Sequence, residues 1–129
     1  MTPPLTRILF VEDDSDIQSI ARLALEMVGG FKVEICSSGT EALQAAPTFA
    51  PDLILLDVMM PGMDGLSTLK ALRQMPEAIA TPVVFMTAKV QTHEVTHYKA
   101  LGALDVISKP FDPMTLATTI QGIWTKHHG

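Results

Sequence analysis

The chain has 129 residues, 47 % of them apolar and 18 % charged, with a formal charge of −5 from 9 basic and 14 acidic side chains. That length predicts one domain able to bury roughly two-thirds of its unfolded surface, and that composition excludes general disorder. The acidic balance disfavours a nucleic-acid surface, no apolar run approaches the roughly 18 residues of a membrane span, and the single Cys36 cannot close an internal disulfide. The start, Met1-Thr2-Pro3-Pro4, lacks the basic and apolar regions of a signal peptide. The expectation is a single domain over 1–129, core about 6–125, without an output domain, in a reducing, cytoplasmic compartment.

Strand and helix patterns alternate along the chain. Ile8-Leu9-Phe10-Val11 reads as a strand buried on both faces. From Asp14, a natural helix cap, the period turns helical, with Ile17, Ile20, Ala21, Ala24, Met27 and Val28 on one stripe and Gly29-Gly30 as the stop. Phe31, Val33 and Ile35 alternate with Lys32 and Glu34, as in a half-exposed edge strand. Ser38 and Glu41 have capping-box spacing and open a short helix predicted to end before Pro47. Leu53-Ile54-Leu55-Leu56 is a second apolar strand. The turn-rich stretch Met60 to Gly65 follows, then a helix marked by Leu66, Leu69 and Leu72. Pro82 opens the strand Val83 to Met86. Thr92 is placed to cap a helix that turns Val95, Tyr98 and Leu101 inward, and Gly102 ends it. Ala103 to Ser108 is the fifth strand. Asp112-Pro113 then opens a last helix carrying Leu116, Ile120, Ile123 and Trp124.

Five strands and five helices in strict alternation imply an α/β, doubly wound parallel sheet with right-handed crossovers. Ligands in such sheets bind at the carboxyl ends of the strands. Those ends are selective here. The first strand runs into Glu12-Asp13-Asp14, the third into Asp57, the fourth into Thr87-Ala88 and the fifth into Lys109-Pro110, whereas the second ends in the uncharged Cys36-Ser37-Ser38. Singly, each of these polar residues is as readily a turn residue or a cap; four strand ends agreeing is the signal. Converging carboxylates repel and call for a cation, and an all-oxygen set suits Mg²⁺ or Mn²⁺. A metal, a hydroxyl and an ammonium around one carboxylate also suit a phosphoryl group, with the carboxylate as nucleophile.

With those residues in view, the chain resembles a response-regulator receiver domain, the phospho-acceptor of bacterial two-component signalling. The resemblance rests on Ile8 to Asp14, Leu53 to Gly65 (LILLDVMMPGMDG), Val83 to Ala88 (VVFMTA), Leu101-Gly102-Ala103 and Lys109-Pro110-Phe111, and spans about residues 6 to 125. It implies a flavodoxin-like (βα)5 fold with strand order 2-1-3-4-5. It also implies Asp57 as the phosphorylated aspartate, and a Mg²⁺ held by Asp13, Asp57, the Met59 carbonyl and, through water, Glu12. Thr87 and Lys109 then contact the phosphoryl group, with the backbone N–H of Ala88, and Lys109-Pro110 is expected to be cis. The phosphoryl donor is a histidine kinase or phosphotransfer protein and the output a downstream protein target, or a homodimer through the last two helices and the fifth strand. Val106 departs from the family, many of whose members carry Tyr or Phe there to report phosphorylation. Met59 and Lys89 flank the path of the hydrolytic water, and an apolar Met59 implies slow self-dephosphorylation rather than conventional turnover.

Other readings are weaker. A pseudo-receiver acting only as an interaction module draws on Val106 but leaves Glu12, Asp13, Asp57, Thr87 and Lys109 without purpose. An aspartyl-nucleophile phosphatase would want a second Asp at Met59. His93-Glu94-Val95-Thr96-His97 matches the zinc-peptidase pattern H-E-x-x-H on a helix, but no Glu follows as third ligand. Incidental metal binding by His93 and His97 is compatible with a solvated helix face. Cys36 reads as a packed side chain, the eight Met residues as gap fillers and His127-His128 as tail.

Overall fold

The computed structural model describes residues 2–128. In chain order it contains β1 (Arg7–Val11), α1 (Ser15–Leu23) continuing into a π-helical turn (Ala24–Val28), β2 (Lys32–Cys36) and α2 (Gly39–Phe49). Then follow β3 (Leu53–Asp57), α3 (Gly65–Leu72), β4 (Val83–Thr87), α4 (Thr92–Ala100), β5 (Asp105–Ser108) and α5 (Leu116–His128). The five strands form one parallel sheet in the order β2-β1-β3-β4-β5.

The apolar runs make this sheet because they supply both faces at once. Ile8 and Phe10 of β1, Leu53 and Leu55 of β3, and Val84 and Met86 of β4 join Ala21, Leu25, Ile120 and Trp124 in one core. The alternate residues Leu9, Val11, Ile54, Leu56, Val83 and Phe85 join Ala42, Leu69, Leu72 and Tyr98 in the other. Side chains in a strand alternate between faces, so only an uninterrupted apolar run can feed two cores. β2 lies at the edge, with Val33 buried and Lys32 and Glu34 exposed, as the alternation implies.

Several element details differ from the sequence reading. The expected stripe of α1 fails in its second half: Ile20, Met27 and Val28 are exposed and Leu25 is fully buried. Leu25 lies four residues after buried Ala21, the ordinary α-helical position on that face, and Ile20 lies just off it; the π turn, where each residue advances less around the axis, then carries Met27 and Val28 away from the core. α2 runs through Pro47 to Phe49 rather than stopping before it. Pro47 forfeits one backbone bond, but extending the helix buries Phe49 and lets its carbonyl accept from Arg7 Nε at 2.8 Å. The helix ends on Ala50 in the left-handed region (φ 52°), a conformation costing a non-glycine residue about 1–2 kcal/mol. α4 is preceded by Gln91, with no side-chain cap, and Thr92 is already helical. Tyr98 is buried as expected, whereas Leu101, beyond the last turn, is exposed. α5 begins at Leu116, not at Pro113; Asp112 instead organises the turn before it, Oδ1 accepting from Met114 N at 2.9 Å and its carbonyl from Leu116 N at 3.0 Å.

Candidate phosphoryl and metal site at the strand ends

The register of the sheet decides which side chains meet. β1 pairs with β3, β3 with β4 (Asp57 opposite Met86) and β4 with β5 (Thr87 opposite Ser108), so the residues at or just after these ends form one rim. Val58 N donates to Met86 O (3.1 Å) and Lys109 N to Thr87 O (2.9 Å), carrying the pairing to the rim itself. The Lys109-Pro110 peptide is cis.

The side chains converge. One carboxylate oxygen from each of Glu12, Asp13 and Asp57 lies within 4.8 Å of the other two. Glu12 and Asp57 are each only 1 % exposed, and Thr87 2 %, while Asp13 stands exposed at the mouth. Lys109 reaches across from β5, its Nζ 2.9 Å from Glu12 Oε1 and 3.3 Å from Asp57 Oδ1. Glu12 Oε2 also accepts from Asp14 N (3.1 Å). Thr87 Oγ1 accepts from Lys89 N (3.1 Å) and orders the loop after β4.

The charge balance is uneven: one ammonium faces three carboxylates, two of them buried. Burial pushes Glu12 up to about 7, with Asp57 adding repulsion, against the opposing pull of Lys109 and the Asp14 amide. Burial would lower the Lys109 ammonium, but the Glu12 hydrogen bond and the Asp57 and Glu12 charges outweigh it and raise its pKa. Asp57 Oδ1 is buried and accepts no hydrogen bond. Its one cationic neighbour, Lys109 at 3.3 Å, is shared with Glu12, so this buried oxygen among like charges has room for a further cation or donor. The donor set, all oxygen and anionic, fits a hard divalent cation.

Local sequence explains how the rim is held. After β3 the chain must turn sharply through Met59 to Asp64; Gly62 adopts φ +74°, and Asp64 caps α3 by accepting from Ser67 N at 2.8 Å. That bond holds the Asp64 carboxyl below its usual range. Gly65 donates to Val58 O (2.9 Å), and a Cβ there would lie 2.5 Å from the Asp57 carbonyl oxygen. Gly65 and Gln18, whose side-chain amide bridges the Glu12 carbonyl and Ser37 Oγ, are site-shaping residues that the sequence reading passed over. A glycine directly after a helix-capping Asp was the available signal for the first; nothing local marked the second.

Met59 is 66 % exposed at the mouth and Ala88 is exposed on the loop after Thr87. Val106, opposite Phe85 in the β4–β5 pairing, is partly buried against the core that holds Phe85 and Tyr98, whose rings meet edge to face at 5.5 Å. The H-E-x-x-H residues His93 and His97 are exposed on α4. Among the described residues the one group of three or more acidic, His or Cys ligands is the Glu12, Asp13 and Asp57 set, so the peptidase motif gains no third ligand.

A family model described as "Response regulator receiver domain" matches residues 8–121. This chain belongs to that family. Similar curated proteins include the transcriptional regulatory protein CseB of Streptomyces avermitilis, 37 % identical over 118 residues, covering 92 % of this chain and 48 % of that protein. The alkaline phosphatase synthesis transcriptional regulatory protein PhoP of Bacillus subtilis is 38 % identical over 117 residues, covering 91 % and 48 %. The chain thus spans about half the length of the curated relatives it matches. Among solved structures, the chemotaxis response regulator CheY4 of Vibrio cholerae superposes with a TM-score of 0.85 at 32 % identity, covering 93 % of this chain and 99 % of that one. As a receiver domain, the chain is a component of two-component signalling. No helix among its described residues is long and apolar enough to cross a membrane.

Proposed function

We propose that this receiver takes a phosphoryl group onto Asp57 from the phosphohistidine of a partner histidine kinase or phosphotransfer protein in the cytoplasm. What supports the reading is the convergence of Glu12, Asp13 and Asp57 within 4.8 Å, with Lys109 set between Glu12 and Asp57. In the step proposed, a carboxylate oxygen of Asp57 attacks phosphorus, a P–O bond forms, and the P–N bond to the donor imidazole breaks with its electron pair returning to the ring. The cation fitted to this donor set is Mg²⁺, with Mn²⁺ as substitute, held by Asp13, Asp57, the Met59 carbonyl and, through water, Glu12. When bound it supplies positive charge toward the phosphoryl oxygens.

The chain's own residues do the rest. Lys109 exchanges its bond to Glu12 for one to a phosphoryl oxygen. The Thr87 hydroxyl donates to a second oxygen, and the exposed Ala88, with no bulky side chain, leaves its N–H free to approach a third. The acyl phosphate adds roughly −1.5 to −2 charge at a rim already rich in carboxylates, which draws Thr87 and Lys109 inward and shifts the face built by α4, β5 and α5. That face is the output surface, for a downstream protein target or a second copy of the chain. With Val106 in place of an aromatic ring, the shift travels through the backbone after Thr87. Met59, exposed and apolar at the mouth, orients no water, so the acyl phosphate outlasts the scale of seconds without an added phosphatase.

The test is intact-mass measurement after incubation with acetyl phosphate. With Mg²⁺ the wild-type chain gains the mass of one phosphoryl group; with chelator, or in Asp57→Ala, it gains none. Undiminished labelling of Asp57→Ala overturns the assignment.

A further inference from the structure

The H-E-x-x-H residues have no part in the phosphoryl site, yet their placement has a chemistry of its own. Four residues apart on a helix is one turn and a little more, so His93 and His97 sit one above the other with Cβ atoms about 5–6 Å apart. Both are exposed, and neither imidazole takes part in a hydrogen bond or ion pair among the described residues. The rows on either side are open. Thr96 and Ala100 flank the pair, are small and exposed, and Thr96 Oγ1 is turned back onto the carbonyl of Thr92 at 2.9 Å. The nearest lysine on the helix, Lys99, is drawn off toward Asp105 (3.7 Å). Glu94, three residues before His97, adds a carboxylate on the neighbouring row. The helix face is fixed from beneath by Tyr98, buried edge to face on Phe85, which keeps the histidine row turned to solvent.

We propose that His93 and His97 form a two-histidine chelate for a transition-metal ion of the Zn²⁺, Ni²⁺ or Cu²⁺ class on the outer face of α4. Imidazole nitrogens suit these ions, with bonds of about 2.0–2.1 Å for zinc, and water completes the coordination. The donor type separates this site from the rim, where the ligands are oxygens and the fitting ion is hard. Two ligands alone make an open site without a peptidase's third protein ligand, so it binds and does not hydrolyse. Its mechanical effect follows from where it lies. α4 has no side-chain cap at Gln91 and buries a single residue, Tyr98, so a clip across its first two turns stiffens a helix with little else to hold it. α4 also begins five residues after Thr87, so an ion on this row acts on the helix adjoining the loop that Thr87 orders.

The proposal does not depend on phosphorylation of Asp57, and its test is arranged accordingly. Zn²⁺ is titrated calorimetrically into the full chain with Mg²⁺ in large excess, which occupies the rim carboxylates. The wild type is expected to take up one Zn²⁺, with affinity falling roughly tenfold or more in His93→Ala and in His97→Ala, because either change turns a linked pair of ligands into a single one. The double variant His127→Ala/His128→Ala is expected to bind as the wild type does. Amide hydrogen exchange over Val95 to Leu101 is expected to slow with Zn²⁺ in the wild type and not in His97→Ala. Equal affinity in the two α4 variants and the wild type, no uptake by the wild type, or loss of binding confined to the His127/His128 variant would overturn the chelate. Phosphoryl uptake from acetyl phosphate in His97→Ala with Mg²⁺ and no zinc is expected to match the wild type, so failure here is distinguishable from failure at Asp57.

Discussion

Two neighbouring strands end side by side and are put to opposite uses. β1 and β2 are joined at their tips by the bond from Glu12 N to Cys36 O (2.9 Å). Beyond β1 the chain presents buried Glu12 and exposed Asp13 to a site crowded with charge. Beyond β2 it presents Cys36, whose burial pushes its thiol up to about 11 and keeps it protonated, then Ser37 and Ser38, which serve the next helix. Ser38 Oγ accepts from Glu41 N (3.1 Å), and Glu41 Oε1 returns to Ser37 N (3.3 Å), one residue earlier than an ideal capping box. The same backbone geometry thus yields a reactive rim or a helix cap. The difference lies in which ends adjoin: the acidic end of β1 lies beside the Asp57 end of β3, and the uncharged end of β2 lies outside that pair. β1 sits between β2 and β3 and shares its end with Asp57; β2 sits at the edge with a single neighbour.

The contrast breaks most severely where the reactive side is packed hardest. Gly65→Ala places a methyl 2.5 Å from the Asp57 carbonyl and 2.7 Å from Val58 Cα, both backbone, so the loop carrying Met59 must move. The expected cost is about 1–3 kcal/mol in urea unfolding, accompanied by reduced phosphoryl uptake from acetyl phosphate. Wild-type uptake in this variant would show that the loop position does not matter.

The two strand ends also differ in their response to pH. Glu12 rises from its ordinary 4.5 to about 7 in the folded, metal-free chain. Between those values the native state holds a proton that the unfolded state has released, so unfolding free energy declines as pH rises through that window. Thermal melts without divalent cation should therefore lose stability from pH 4.5 to 7, with a shallower slope in Glu12→Gln. Added Mg²⁺ should restore stability at the upper end of the window. An equal slope in Glu12→Gln would remove Glu12 as the source. Asp64 has the opposite sign: its carboxyl is held low by the Ser67 amide, so its contribution is present above its unfolded value and fades as pH falls.

On the structural side of the contrast the effects are smaller and confined to stability. Ser38→Ala removes the cap of α2 at a cost of about 1 kcal/mol by chemical denaturation. Cys36→Ala, on a buried and protonated thiol, leaves phosphoryl uptake at the wild-type level. A loss of labelling in either variant, in a chain that remains folded, would mean the two strand ends are not separate in function.

Much of this contrast was legible in the primary structure, for identifiable reasons. β1, β3 and β4 show as unbroken apolar runs because both of their faces are buried, and the edge position of β2 shows in the alternation of Lys32 and Glu34 with Phe31 and Val33. With the strands placed, the residues after them fall on one rim by topology alone. What stayed hidden depends on three-dimensional detail. The π turn after Leu23 leaves no mark in the periodicity, so Met27 and Val28 read as buried; Leu25, four residues after Ala21, was legible and was passed over. Pro47 reads as a stop because the compensating bond from Arg7 to the Phe49 carbonyl joins residues 42 positions apart. The ion pair of Lys109 with Glu12 spans 97 positions, and the same ammonium also lies 3.3 Å from Asp57 Oδ1, a sharing that no local pattern announces.

Whether Glu12, Asp13 and Asp57 form one divalent-cation pocket is read by calorimetric titration of Mg²⁺ into the wild type, Asp13→Asn and Ser38→Ala. One ion is expected to be taken up by the wild type and by Ser38→Ala, with most of that affinity lost in Asp13→Asn. Uptake of Mg²⁺ by Asp13→Asn as strong as by the wild type would contradict that pocket.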